Sequence, residues 1–413
     1  MSRKIAIIGA GQSGLQTGIG LLKQGYQVTM LSNRTQDDIR SGRVTSSQCM
    51  FDMALNTERE LGLNFWENDC PPVEGIGLTV PDPQHPGEKL IDWAAPVDNK
   101  AQSVDQRLKM PVWMDEFVRL GGELIFNDAG IEELEELAAS HDLVLLAAGK
   151  GDIVRQFERD AERSQFDKPQ RALALTYVHG MEPKEPFSRV TFNLIPGIGE
   201  YFCFPALTLT GPCEIMVFEG IPGGPMDCWG DVETPEQHLA RSLEIVKTYC
   251  PWEAERCKNI QLTDDNGVLA GRFPPTVRKP VLTLPSGRKV LGMADALVVN
   301  DPITGQGSNN GAKCSKIYLD SIIARGDQAY DEEWMKATFE AYWAYAEDVV
   351  RWTNSILLPP EEHTLNLLGA AQQAPELART IANGFNNPVD LMPWWTNADA
   401  CNQVVGEFFK QEA

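Results

Sequence analysis

The sequence predicts an α/β protein: a discontinuous nucleotide-binding domain, an antiparallel β domain inserted within it, and a helical C-terminal region. Three observations predict it. The chain opens on a strand, a glycine turn, a helix and a second strand. A run of strands broken by glycine and proline fills its middle. A strand, loop and helix with a second glycine cluster returns near residue 300.

The opening stretch is "IAIIGAGQSGLQTGIGLLKQGYQVTMLSNR", residues 5–34. Ile5-Ala6-Ile7-Ile8 is the strand, and Gly9, Gly11 and Gly14 form a G-x-G-x-x-G. Gly9 permits a tight turn, Gly11 lets a pyrophosphate approach the backbone, and Gly14 lets the helix pack on the strand. Ala10, Gln12 and Ser13 complete a turn whose phosphates face a helix N-terminus. The second strand ends in Ser32-Asn33-Arg34, without the usual acid for a ribose. Either Asn33 bonds a ribose hydroxyl or Arg34 pairs with the 2′-phosphate of NADP.

Thr35 to Arg43 reads as a polar loop, and residues 68–90 as a mixed segment rich in turn signals. "SVDQRLKMPVWMDEFVRLGG" reads as a helix with an apolar stripe of Leu108, Val112, Met114 and Phe117, stopped by Gly121-Gly122. "GELIFN" is a short strand, and "HDLVLLAAGKGD" a buried parallel strand ending at Gly149. From residue 171, "RALALTYVHGM", "SRVTFNLIPG", "GEYFCFPALTL" and "CEIMVFEGIPGG" form an antiparallel sheet. "TPEQHLARSLEIVKTY" is a helix with Thr234 as N-cap, Pro235 at the first position and Gln237 closing a capping box. Met335, Phe339, Tyr342, Ala346 and Val349 mark a packing stripe in the helical last 80 or so residues. The domain reading is residues 1–155 for the first nucleotide part, with a substrate-side segment at about 66–96. Residues 156–280 form the β domain, 281–330 complete the nucleotide domain, and 331–413 are helical.

The chain has 413 residues and a formal net charge of -22, which argues against nucleic acid and anionic membranes as partners. It has no run of about 18 apolar residues that would span a membrane. Arg3 and Lys4 precede an apolar stretch, but the glycine turn accounts for it better than a signal peptide does. Nine scattered cysteines without a C-x-x-C pair read as reduced thiols of a cytoplasmic protein. The five histidines are far apart, and no metal site is expected.

"GMADALVVNDPITGQGSN", residues 292–309, decides which nucleotide is held. In a two-site flavin fold, Asp295 after the strand bonds the ribitol hydroxyls. Pro302 leads into Gly305, Gln306, Gly307, Ser308 and Asn309, a helix start that faces the pyrimidine end of a flavin. The cofactor expected is FAD.

With "GAGQSGL", "SGRVTSS", "FDKPQRAL", "DPITGQG", "RWTN" and "GFNNP", the chain resembles the styrene and indole monooxygenases nearly end to end. The resemblance implies a glutathione-reductase-like Rossmann FAD-binding domain carrying an antiparallel β substrate domain. It implies FAD used as FADH2, delivered by a separate NADH-dependent flavin reductase. It also implies O2 as co-substrate, a flavin C4a-(hydro)peroxide as oxidant, an epoxide as product, and a homodimer. Arg43 is implied near the flavin, with Ser46 and Ser47 beside it as catalytic positions, and Arg107 is implied to touch FAD. Ala294 departs from the usual glycine before the aspartate, and Asn33 from the usual acid.

Ser46, Gln48 and Met50, then Val73 and Ile76, match the indole-preferring members, so the implied substrate is indole. Gln48 could then bond the ring N–H, with Met50, Val73 and Ile76 as apolar surface. No second dinucleotide unit is read: Gly197 and Gly199 in "IPGIGEYF" suit a hairpin turn. The rival readings are a styrene-preferring epoxidase, an NADP-dependent dehydrogenase using Arg34, and a non-catalytic flavin-binding protein.

Overall fold

The computed structural model describes residues 3–149 and 151–412. Strand β1 (Lys4–Ile8) buries Ile5, Ala6, Ile7 and Ile8, as an inner parallel strand covered on both faces must. It leads into α1 (Gln12–Lys23) and β2 (Gln27–Ser32). The polar loop expected after β2 instead holds a short helix, α2 (Gln36–Ser41). A capping box starts it: the Asp38 amide donates to the Thr35 hydroxyl at 3.2 Å, and the Thr35 amide to the Asp38 carboxylate at 2.8 Å. Next come α3 (Asp52–Leu61) and the hairpin β3 (Pro72–Pro81) and β4 (Lys89–Gln102). Helix α4 (Gln106–Arg119) buries Met110, Trp113, Met114 and Phe117. Leu108 and Val112 stay partly exposed, so the core face is rotated from the expected stripe. Strand β5 (Glu123–Phe126), α5 (Ile131–Ser140) and β6 (Leu143–Leu146) follow.

The middle of the chain is antiparallel: β7 (Ala172–His179), β8 (Arg189–Ile195), β9 (Gly199–Thr208) and β10 (Gly211–Gly220). Gly197 at φ +77° makes the β8–β9 turn, the hairpin expected there. Helix α6 (Pro235–Tyr249) starts on the expected Thr234–Gln237 capping box, and α7 (Pro251–Ala254) follows. Strands β11 (Gln261–Leu262) and β12 (Val268–Gly271) pair with β7. The sheet has the order β11-β7-β10-β9-β8-β3-β4, with β12 also on β7, and β3 joins β8 in parallel. Strand β9 is buried on both faces. Phe202 and Phe204 join the core under the C-terminal helices, while Tyr201 and Cys203 join the core under α6 and α7.

Strands β13 (Thr276–Val277), β14 (Val281–Thr283), β15 (Lys289–Gly292) and β16 (Val298–Val299) precede α8 (Gly307–Arg325). Strands β14 and β15 return to the first sheet, giving the order β14-β15-β6-β1-β2-β5. Its strands from β15 to β5 are parallel, and β14 is antiparallel. Helix α9 (Glu332–Leu357) buries all five residues of the expected stripe. Helices α10 (Glu362–Ala371) and α11 (Pro375–Gly384) then cover one face of the second sheet, where the Trp93 indole N–H donates to the Leu368 carbonyl at 3.0 Å. All nine cysteines are free thiols. No described helix is long and apolar enough to cross a membrane.

Candidate active site

Ligands of such parallel sheets bind beyond the C-terminal ends of the strands, where the turn after β1 lies. Gly9 has φ +110°, and a Cβ there would lie 2.9 Å from the Ala148 nitrogen. A Cβ on Gly14 would lie 2.0 Å from the Gly9 carbonyl oxygen, so both positions need glycine. Gly11 is different: its Cβ would meet nothing within 4 Å. Helix α1 has no side-chain cap and no acid in its first turn. Its first N–H groups therefore face that space, a suitable seat for a pyrophosphate. Behind the turn Ala10 is buried, the Gln12 amide donates to the Ser308 carbonyl at 2.8 Å, and the Ser13 carbonyl accepts from Ser315 Oγ at 3.2 Å. The two glycine segments, some 300 residues apart, are thereby held together. Asn33 and Arg34 lie exposed at the end of β2.

Asp295 is exposed just after β15, where a Cβ on Gly149, just after β6, would approach its Cβ to 3.3 Å. Before it Ala294 has φ +49°, a left-handed conformation that favours glycine. The departure from glycine noted in the sequence is therefore a conformational one. Ala294 accepts the strain in a buried turn that its amide secures on Cys314 Sγ at 3.2 Å.

Helix α8 likewise starts without a side-chain cap or a first-turn acid, and Cβ atoms on Gly305 and Gly307 would meet open space. Against this end lies a cavity bounded by Pro302, Thr304 and Gly305. Phe51, Phe192, Phe202, Phe204 and Phe385 form most of its wall, with Val190, Cys49 and Ser47. Phe192 packs on Phe202 at 4.9 Å and on Phe385 at 5.3 Å between ring centroids, and Trp352 meets Phe385 edge-on at 5.0 Å. These rings give an apolar lining to a space of about 10 Å³, so an aryl substrate can enter only if they move apart. The Cys49 thiol is pushed well above its ordinary pKa by burial, then by Cys70, so it stays neutral.

Asn309 fixes the wall. Its Nδ2 donates to the Cys49 carbonyl at 2.7 Å, and its Oδ1 accepts from the Phe51 amide at 2.8 Å. Gln306 Nε2 donates to the Phe385 carbonyl at 2.8 Å. The two were expected to contact the cofactor; here their side chains hold the walls. The Ser308 hydroxyl donates to Gln48 at 3.3 Å.

Residues 46–51 alternate. Ser47, Cys49 and Phe51 face the cavity. Gln48 turns to the Val104 carbonyl, and Met50 packs with Ala54, Leu55 and Ala312. Ser46 accepts from Tyr177 Oη on its carbonyl at 3.0 Å, and its own hydroxyl is buried without a partner. Of the expected substrate residues, Ser46, Gln48 and Met50 are thus one position out of phase with the lining. Val73 and Ile76 are buried in the core beside it, with Ile76 in register with Val190 on the next strand. Arg43 is exposed and takes part in no ion pair among the described residues.

Arg107, expected to touch FAD, has its side chain engaged elsewhere in the structure. Its side chain is 2% exposed. It donates to Asp105 at 2.8 and 3.0 Å, to Asp264 at 2.8 and 3.0 Å, and to Thr208. The guanidinium is engaged by these acceptors and ties α4 to the end of β9 and to the loop after β11. Below Pro302 lies a second buried group. Arg171 grips Glu200 through two bonds of 2.6 and 2.9 Å. Close by, the carboxyls of Glu219 and Asp301 meet, with Asp301 Oδ2 and both Glu219 oxygens lacking a donor. Burial raises both above the ordinary carboxyl range, and Asp301 adds to the rise at Glu219. Two buried carboxyls this close disfavour both being charged at once, which favours a protonated form of the pair.

Sequence reasoning missed the phenylalanines, although a signal existed. Strand periodicity places Val190 with Phe192, and Phe202 with Phe204, on one face. The motifs also converge here: "SGRVTSS" supplies Ser47, "DPITGQG" Pro302, Thr304 and Gly305, and "GFNNP" Phe385. Thr353 of "RWTN" bonds the Thr304 hydroxyl at 2.7 Å.

Residues 149–256 match the family model described as "Styrene monooxygenase A putative substrate binding domain". The chain is 28% identical over 399 residues to styrene monooxygenase StyA of Pseudomonas fluorescens, covering 94% of each. It is 29% identical over 419 residues to StyA of a Pseudomonas species, covering 99% of each. Among solved structures, a flavoprotein/dehydrogenase from Cytophaga hutchinsonii shares the fold over the full length of both chains, with a TM-score of 0.70 at 16% identity. From this end-to-end similarity, with the domain match on the central sheet, the chain is a flavoprotein monooxygenase similar to the styrene monooxygenases.

Proposed function

We propose that the protein is the oxygenase of a two-component, FAD-dependent epoxidase of the styrene type, acting in the cytoplasm on aryl alkenes and preferring indole. The aromatic cavity closed against the α8 N-terminus carries this reading. The cleft fits FAD: the open Gly11 position and uncapped α1 suit the pyrophosphate, Asp295 and the end of β2 the sugar hydroxyls, and the α8 start the pyrimidine end. Asn33, Arg34 and Arg43 are exposed around it and complete the proposed contacts. Reduced FAD, once bound, supplies the electrons that activate O2. The chain's own residues orient the alkene between these rings and keep water from the reacting carbons.

The preference for indole rests on the match at Ser46, Gln48, Met50, Val73 and Ile76, which back the wall. Ser47, which lines the cavity and whose hydroxyl has no hydrogen-bond partner among the described residues, is the acceptor we assign to the ring N–H. The reducing partner is a separate NADH-dependent flavin reductase. Turnover with FADH2 from any such reductase should convert indole, visible as indigo, and styrene at lower kcat/KM. A Gly11→Asp variant should keep the fold and lose FAD binding. A styrene kcat/KM about tenfold above that for indole, or roughly 1.4 kcal/mol in the wrong direction, would overturn the indole assignment alone. No product from either alkene would overturn the epoxidase reading.

A further inference from the structure

The second sheet has two faces, and the substrate cavity uses one. On the opposite face lies a cleft of about 300 Å³, within the size range of small-molecule sites. Arg189 of β8, Glu214 of β10 and Arg256, beyond α7, line it, with Phe187, Pro186 and Pro205 as apolar wall. Arg189 sits next to Val190, and Pro205 next to Phe204, so strand alternation sets these residues behind the cavity wall.

The charges there are unevenly matched. Glu253 is buried and already engaged, accepting from Lys184 and from Arg256 at 2.7 Å. Arg189 takes part in no ion pair among the described residues. Only its Nη1 donates, to the carbonyls of Glu185 at 2.9 Å and Phe187 at 3.0 Å. Nε and Nη2, the edge of a guanidinium that grips a carboxylate through two parallel bonds, have no acceptor among the described residues. The Glu214 carboxyl likewise has no hydrogen-bond partner among the described residues, and burial pushes it up to about 7. Half-protonated near neutrality, it can donate to an anion beside Arg189.

We propose that this cleft is a second binding site, for a small aromatic monocarboxylate held side-on by Arg189, with its ring on Phe187, Pro186 and Pro205.

Benzoate titrated into the full-length protein, followed by calorimetry, is the test. The expected result is saturable binding that persists in saturating styrene. It should weaken about tenfold or more in Arg189→Gln, the loss expected of a two-bond charged contact. Benzamide, the neutral isostere, should bind at least as poorly as benzoate does to that variant. Glu214→Gln, which keeps a donor, should retain binding and so show that the cleft tolerates substitution. Unchanged affinity in a folded Arg189→Gln variant, displacement of benzoate by styrene, or equal binding of inorganic phosphate would overturn the proposal.

Discussion

The carboxyls of Glu219 and Asp301 present a measurable consequence. In the unfolded chain both titrate in the ordinary carboxyl range; in the fold, burial raises both. Above that range the native state holds more protons than the unfolded one, so stability falls as pH rises toward the native values. Glu219→Gln keeps a donor toward Asp301 without a proton to lose. The variant should match wild type near pH 4 and exceed it at pH 8 by about 2–4 °C in Tm, the shift that about 1 kcal/mol gives in a large domain. Thermal melts across that interval decide; parallel slopes for the two proteins would show that the pair shares no proton. Ala294 carries a different cost, of conformation rather than charge, at φ +49°. It explains why a glycine suits the position and why its absence here leaves the turn intact.

Between elements, the decisive connection is Asn309 at the start of α8 with the extended stretch from Val44 to Phe51. Removing the amide in Asn309→Ala leaves the Cys49 carbonyl and the Phe51 amide, both buried, without partners. Each such loss costs about 1–3 kcal/mol. The expected outcome is a Tm lower by several degrees and an epoxidation kcat/KM at least about tenfold down. FAD affinity should be little changed, as read by flavin fluorescence. If turnover per folded molecule is intact, the wall does not depend on this clamp. The same connection shows what sequence could and could not give. The glycine turn, the strand run, the α6 cap and the α9 stripe were legible because each is set by neighbours within a few residues. The phase of residues 46–51 was not, because it is fixed by distant partners: Asn309, some 260 residues away, together with Gln102, Val104 and Tyr177. Arg107 was only partly legible for a related reason. Its charge was visible, but Asp264, which neutralises it together with Asp105, lies 157 residues further along.

Across the chain as a unit, Arg107 joins the start of α4, the end of β9 at Thr208 and the loop after β11 at Asp264. Arg107→Met should leave two buried or half-buried carboxylates without their cation and cost about 3–5 kcal/mol. Urea unfolding measures that cost, and FAD titration of the remaining folded protein should give near wild-type affinity. Loss of FAD binding at unchanged stability would restore Arg107 as a cofactor contact. The division of labour along residues 46–51 also guides engineering. Ser47, Cys49 and Phe51 form one set of positions, and Ser46, Gln48 and Met50 another. A library that varies the first set samples substrate shape while leaving cofactor-side packing alone; one that varies the second perturbs the backing and changes selectivity indirectly. Randomising all six together would mix the two effects, whereas two three-position libraries should separate altered substrate range from altered coupling of oxygen to product.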